Sequence, residues 1–214
     1  MLSPSRSARM AAIAALIASA GDFLLLYIGN ARQSELGLLQ IGKGWLWLGG
    51  ILGVAAIPFY ALGYRAASRL LAQTAPRAAR FIFANGVSVG LLGAAIHGVT
   101  AISIGLDNGN GEEPLNAILN SAPLLILWGI ATIQVVLISA LFLWYVGFGR
   151  TAAPRSAALA NPAFLTLLLA FIGLPSLFLR SFLTPAAPNI AHFVFFWLCS
   201  SWLRPLDNPR EAAQ

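Results

Sequence analysis

Charge is scarce in this chain: only 9% of its 214 residues are Asp, Glu, Lys or Arg, against about 25% in an average soluble domain. So few charges cannot cover the surface of a water-soluble fold of this length. Cysteine is nearly absent too. One Cys excludes a disulfide framework within the chain and any zinc ribbon. What fills the sequence is apolar: 58% of residues are A, V, I, L, M, F, W, Y or C, and the mean hydropathy is +0.79. That content excludes intrinsic disorder. The class left is an all-α polytopic membrane protein, read from long uninterrupted apolar runs. The lipid bilayer is then its first partner.

The formal net charge is +6. Every cation but Lys43 is an Arg, and most lie just outside the apolar runs. Cations so placed set membrane orientation, and no nucleic-acid partner is expected.

A membrane helix needs about 20 mostly apolar residues. Six runs fit or nearly fit: 10–28, 45–64, 81–106, 123–148, 162–179 and 189–203. They are too long for membrane strands and lack period-2 alternation, so a six-helix bundle is expected as one transmembrane domain. Ten cations fall on one side of these runs: Arg6, Arg9, Arg65, Arg69, Arg77, Arg80, Arg150, Arg155, Arg204 and Arg210. The other side has only Arg32, Lys43 and Arg180, with Asp107, Glu112 and Glu113 in a turn-rich loop. The positive-inside rule then places both termini in the cytoplasm. Ala18-Ser19-Ala20 resembles a signal-peptide cleavage site, but the apolar run continues from Phe23 to Ile28, so a retained first span is expected.

Small residues mark the packing faces. Gly86, Gly90, Ala94 and Gly98 recur every four residues in span three, as do Gly49 and Gly53 in span two. Span one carries Ala11, Ala15, Ala18, Ser19 and Asp22 on one side. Lipid gives helices little hydrophobic reason to associate, so such stripes permit close backbone contact. They equally suit a homo-oligomer. Pro58 and Pro175 are expected to kink spans two and five. Trp45, Trp47, Tyr27 and Tyr64 read as an aromatic belt near span ends.

Ionisable residues inside spans are costly, so each is a functional candidate. Counting about 1.5 Å per residue from the flanking Arg, Asp22 lies roughly 20 Å up, His97 about 26 Å and His192 about 18 Å. All three fall in one layer in the outer half of the bundle. Gln134 is at a similar depth, and Asn189 and Arg180 come from the outer ends of spans six and five. These six residues could line one polar pocket for a small or lipid-like ligand. A carboxylate buried in lipid needs a donor or cation beside it, and His97, His192 or Arg180 could serve Asp22. Two His and one carboxylate are also the ligand set of many zinc sites, which would support a membrane-embedded metal-dependent hydrolase using Asp22, His97 and His192. No HxxxH or HExxH spacing accompanies them. The bland alternative is an Asp–His bond that glues helices together, in a structural or assembly partner of another membrane protein. Haem held by both His would need their depth difference of about 8 Å taken up by tilt. Cys199 reads as a small apolar filler.

Gly21-Asp22-Phe23-Leu24-Leu25-Leu26-Tyr27, a single His in span three, Asn161-Pro162 opening span five and Asn189 opening span six occur in this order. In these motifs the chain resembles an uncharacterised family of bacterial multi-pass inner-membrane proteins. The resemblance implies a six-span bundle of unknown activity, with a shared role for Asp22, His97, Asn161 and Asn189. The seven-span hydrolases related to alkaline ceramidases are a poorer match, since their Ser, Asp and three His surround zinc. This sequence has two His and no HxxxH pair.

Overall fold

A computed structural model describes residues 2–27, 43–106, 121–151, 153–174 and 177–207. These residues are almost entirely helical, with no strand among them. The order is α1 (Pro4–Asp22), a π-helical turn (Phe23–Tyr27), α2 (Lys43–Ala56), a 3-10 turn (Ile57–Phe59), α3 (Tyr60–Leu71), α4 (Pro76–Leu106), α5 (Ala122–Gly147), a 3-10 turn (Arg155–Ala160), α6 (Pro162–Gly173) and α7 (Leu177–Asp207). Four stretches are long and apolar enough to cross a membrane: Pro4–Leu25, Trp47–Leu71, Pro76–Ser103 and Ala122–Gly147.

Several ends differ from the expected ones. α1 begins at Pro4 because Ser3 caps it, accepting from the Arg6 N–H, with Pro at the first helical position. α3 runs past Arg65 to Leu71, since Arg65 and Arg69 are exposed while Ala66, Ala67, Leu70 and Leu71 are buried on the other face. α6 stops at Gly173, and α7 already begins at Leu177. The residues 177–179, read as the end of span five, therefore belong to α7. So does Arg180, whose side chain lies outside the described residues, as do Pro175 and the loop carrying Asp107. Pro58 sits in the 3-10 turn that separates α2 from α3.

Small residues let the first four helices touch at the backbone. A β-carbon on Gly21 would lie 2.7 Å from the Gly49 carbonyl oxygen, and one on Gly49 would lie 2.7 Å from that of Gly21. On α4, Gly86 receives the Tyr64 ring, Gly90 abuts the Ile57 carbonyl, and Gly98 meets Val54. Ala11, Ala15, Ala18, Ser19 and Asp22 of α1 are all buried. The expected stripes thus face one another inside the bundle. Gly50 and Gly93, outside those stripes, serve likewise against Ala101 and Ile57.

Below this layer the core turns aromatic. Tyr60, Tyr64, Phe142, Phe195 and Phe196 are almost fully buried. Phe196 meets Tyr64 edge-on at 5.2 Å and Tyr60 at 5.4 Å. Such pairs contribute about 0.5–1.5 kcal/mol each beyond burial. A side chain at Gly63 would begin 2.5 Å from the Phe196 ring, so that glycine admits it. Cys199 is buried among these groups.

Two capping arrangements fix the ends. Asp207 accepts from the Ser3 hydroxyl at 2.9 Å and from the Ser5 N–H at 3.3 Å, joining the end of α7 to the start of α1. Asn161 accepts from the Phe164 N–H at 2.9 Å, while Ser139 of α5 accepts from the Ala163 N–H at 3.1 Å. Both satisfy donors that a helix start leaves free.

Candidate functional site

Asp22 is the last residue of α1 and is 4% exposed. Just after it the chain widens into the π-helical turn, a feature that often marks functional sites. Its carboxylate reaches two other helices. Oδ1 lies 2.9 Å from His97 Nε2 of α4, and Oδ2 accepts from Asn189 Nδ2 of α7 at 2.6 Å. Asn189 Oδ1 in turn accepts from the Tyr60 hydroxyl at 2.5 Å. This last bond fixes the amide orientation, because a hydroxyl donates to oxygen while nitrogen faces the carboxylate. The result is a continuous buried chain, Tyr60–Asn189–Asp22–His97, spanning α3, α7, α1 and α4.

The other edge of His97 packs against Gly53 of α2, where any β-carbon would overlap the imidazole. Nδ1 is buried there with no hydrogen-bond partner among the described residues. That environment fits the tautomer carrying its proton on Nε2, aimed at Asp22.

His192 stands beside this chain and does not join it. Its Nε2 pairs with the Tyr64 hydroxyl at 2.6 Å, and its Nδ1 with the Pro188 carbonyl of its own helix at 2.6 Å. The ring stacks on Tyr60 with centroids 4.8 Å apart. The expectation of a three-residue ligand set is therefore corrected: Asp22 and His97 meet, while both His192 nitrogens are engaged elsewhere. Among the described residues no group of three His, Cys, Asp or Glu side chains could hold a metal ion. Shared depth gave the three residues one level, but helix rotation aimed His192 at Tyr64.

Gln134 also turns elsewhere. Its Nε2 donates to Ser88 on α4 at 2.9 Å, and its Oε1 is buried without a partner among the described residues. Asn161 caps α6 and lies outside the cluster. The aromatic-belt reading of Tyr64 is overturned, since Tyr64 is 0% exposed. Trp45 and Trp47 are exposed as a belt requires. Tyr60 and Tyr64 are the functional residues that sequence reasoning missed. Their spacing of four residues puts them on one helix face, opposite Asn189 and His192, three residues apart on α7.

A cavity of about 230 Å³ ends on this cluster. Asp22, His97, Asn189 and Tyr60 contribute to its polar side, and Ile57, Val89, Ile96 and Val135 to its apolar walls. Its outer rim carries Trp128 and Val136 of α5 and Leu167 of α6, which are 39%, 50% and 70% exposed. The mouth thus lies on the apolar flank of the molecule.

The fold and cluster define an all-helical protein with several membrane-capable helices joined by a buried polar chain. Residues 4–204 match a family of unknown function, DUF6796, and the chain belongs to it. No curated protein and no solved structure gave a significant match.

Proposed function

We propose that this is a multi-pass protein of a bacterial inner membrane, with six crossings and both termini in the cytoplasm. Its interior would bind, or help to transport, a small or lipid-like ligand. The orientation draws support from the Arg residues. Those of α1 lie near its start, and those of α3 and α4 flank the turn between them. Arg150 and Arg155 lie between α5 and α6, and Arg204 lies near the end of α7. The Ser3–Asp207 bond brings the first and last of these groups together.

One observation carries the ligand reading. The cavity has apolar walls, a polar end formed by Asp22, His97, Asn189 and Tyr60, and a mouth on the flank that lipid would cover. Binding sites typically combine such walls with a few placed polar groups. At about 230 Å³ the space lies below the roughly 300–1,000 Å³ of drug-sized sites, so it suits a small head or part of a chain.

The test is to purify the protein in mild detergent and identify co-purifying molecules by mass spectrometry. Ala131→Leu fills the cavity wall away from the polar chain. A lipophilic molecule retained by the natural protein and lost from this variant is expected. Identical extracts from the two would overturn the reading.

A further inference from the structure

We propose that the cavity takes an alkyl amine, held by its ammonium group against Asp22. This rests on the ligand reading above and adds the chemical class of the head group. Among the described residues, the polar side of the cavity holds one acidic side chain and no Lys or Arg. Each oxygen of Asp22 meets one donor among the described residues, His97 at 2.9 Å and Asn189 at 2.6 Å. A carboxylate has about four acceptor sites, so about half remain for a ligand.

The neighbouring groups also present acceptors. The Tyr60 hydroxyl spends its hydrogen on Asn189, and the Thr166 hydroxyl spends its hydrogen on the Pro162 carbonyl at 2.8 Å. Both residues line the cavity, and both hydroxyl oxygens keep acceptor capacity. His192 has both ring nitrogens engaged. The matching head group is therefore a donor, and one carrying positive charge gains a charge-assisted bond to Asp22. A carboxylate or phosphate head would face Asp22 with no Lys or Arg among the described lining residues to offset it, and an alcohol would make the hydrogen bond without the charge.

Size sets the rest of the ligand. A cavity of about 230 Å³ equals the liquid share of roughly eight waters. It admits the head and a short length of chain. The remainder would pass the rim at Trp128, Val136 and Leu167 into the surrounding apolar phase.

The experiment titrates the purified full chain in neutral-detergent micelles with decylamine, decanol and decanoate, following tryptophan fluorescence with empty-micelle controls. Decylamine should bind about tenfold more tightly than decanol, and decanoate should bind least. Asp22→Asn should bring amine and alcohol to within about twofold of each other. Asp22→Asn also alters a contact that joins helices, so Thr132→Lys on the exposed rim gives an independent arm. It should weaken the amine and strengthen decanoate. Equal binding of amine and alcohol, or a preference for decanoate in the natural protein, overturns the head-group assignment while leaving a ligand cavity in place. Failure of all three probes, with Ala131→Leu without effect on any of them, overturns the ligand reading as well.

Discussion

The imidazole of His97 occupies the space that a side chain at Gly53 would need. The bare backbone of α2 therefore lets α4 bring His97 to Asp22. Gly53→Ala should displace the ring and weaken its bond to the carboxylate. Overpacking of this kind costs about 1–3 kcal/mol. Thermal unfolding in micelles should show the loss, and adding His97→Ala should recover part of it. Strict additivity of the two changes would argue against the contact.

Asp22→Ala removes the acceptor for both Asn189 and His97. Stranding a buried donor costs about 1–3 kcal/mol per group, so this change should destabilise the protein severely. Asp107→Ala, in the acidic loop segment of the sequence, should have little effect. Comparing the yield of monodisperse protein for the two variants checks the difference, and equal tolerance would remove the case for a buried site at Asp22.

Tyr64→Phe keeps the ring against Gly86 and Phe196 but takes the hydroxyl from His192. The expected loss is about 1–3 kcal/mol, from a buried ring nitrogen left without its partner. Tyr64→Phe combined with His192→Phe should cost less than the two single changes added together. Thermal unfolding of the four proteins measures this coupling.

Asn161→Ala removes the side-chain cap of α6. A lost cap costs about 1 kcal/mol. The effect should appear as a fall in unfolding temperature, with Asn161→Asp restoring only part of it, because Asn161 Nδ2 also donates to the Ala158 carbonyl at 2.8 Å. A fall as large as that of Asp22→Ala would assign Asn161 a role beyond capping.

The helices were legible because their apolar runs are long and unbroken. The ends were less legible where a helix keeps one buried face after its first Arg, as α3 does from Arg65 to Leu71. That extension turned Tyr64 from a span-end residue into a core residue. The meeting of Asp22 with His97 followed from depth and from the small-residue stripes. The diversion of His192 did not, because residue counting gives height along a helix and not the direction in which a side chain points. Tyr60 and Tyr64 supply that direction by taking Asn189 and His192 as partners. The π-helical turn after Asp22 has no signature in the composition of Phe23–Tyr27, since winding there depends on packing against α2 and α7.

The α-helical hydrogen-bond ladder is altered at three places next to cluster residues in sequence. α1 passes into a π turn after Asp22, α2 yields to a 3-10 turn before Tyr60, and α7 contains Pro185 and Pro188 just ahead of Asn189. A proline supplies no N–H, so the carbonyl four residues earlier lacks its usual intrahelical donor. Part of the backbone ladder is thus already open beside Asp22, Tyr60 and Asn189. Bending there would break fewer ladder bonds than bending at a regular turn, and Asp22 and Asn189 sit next to those places.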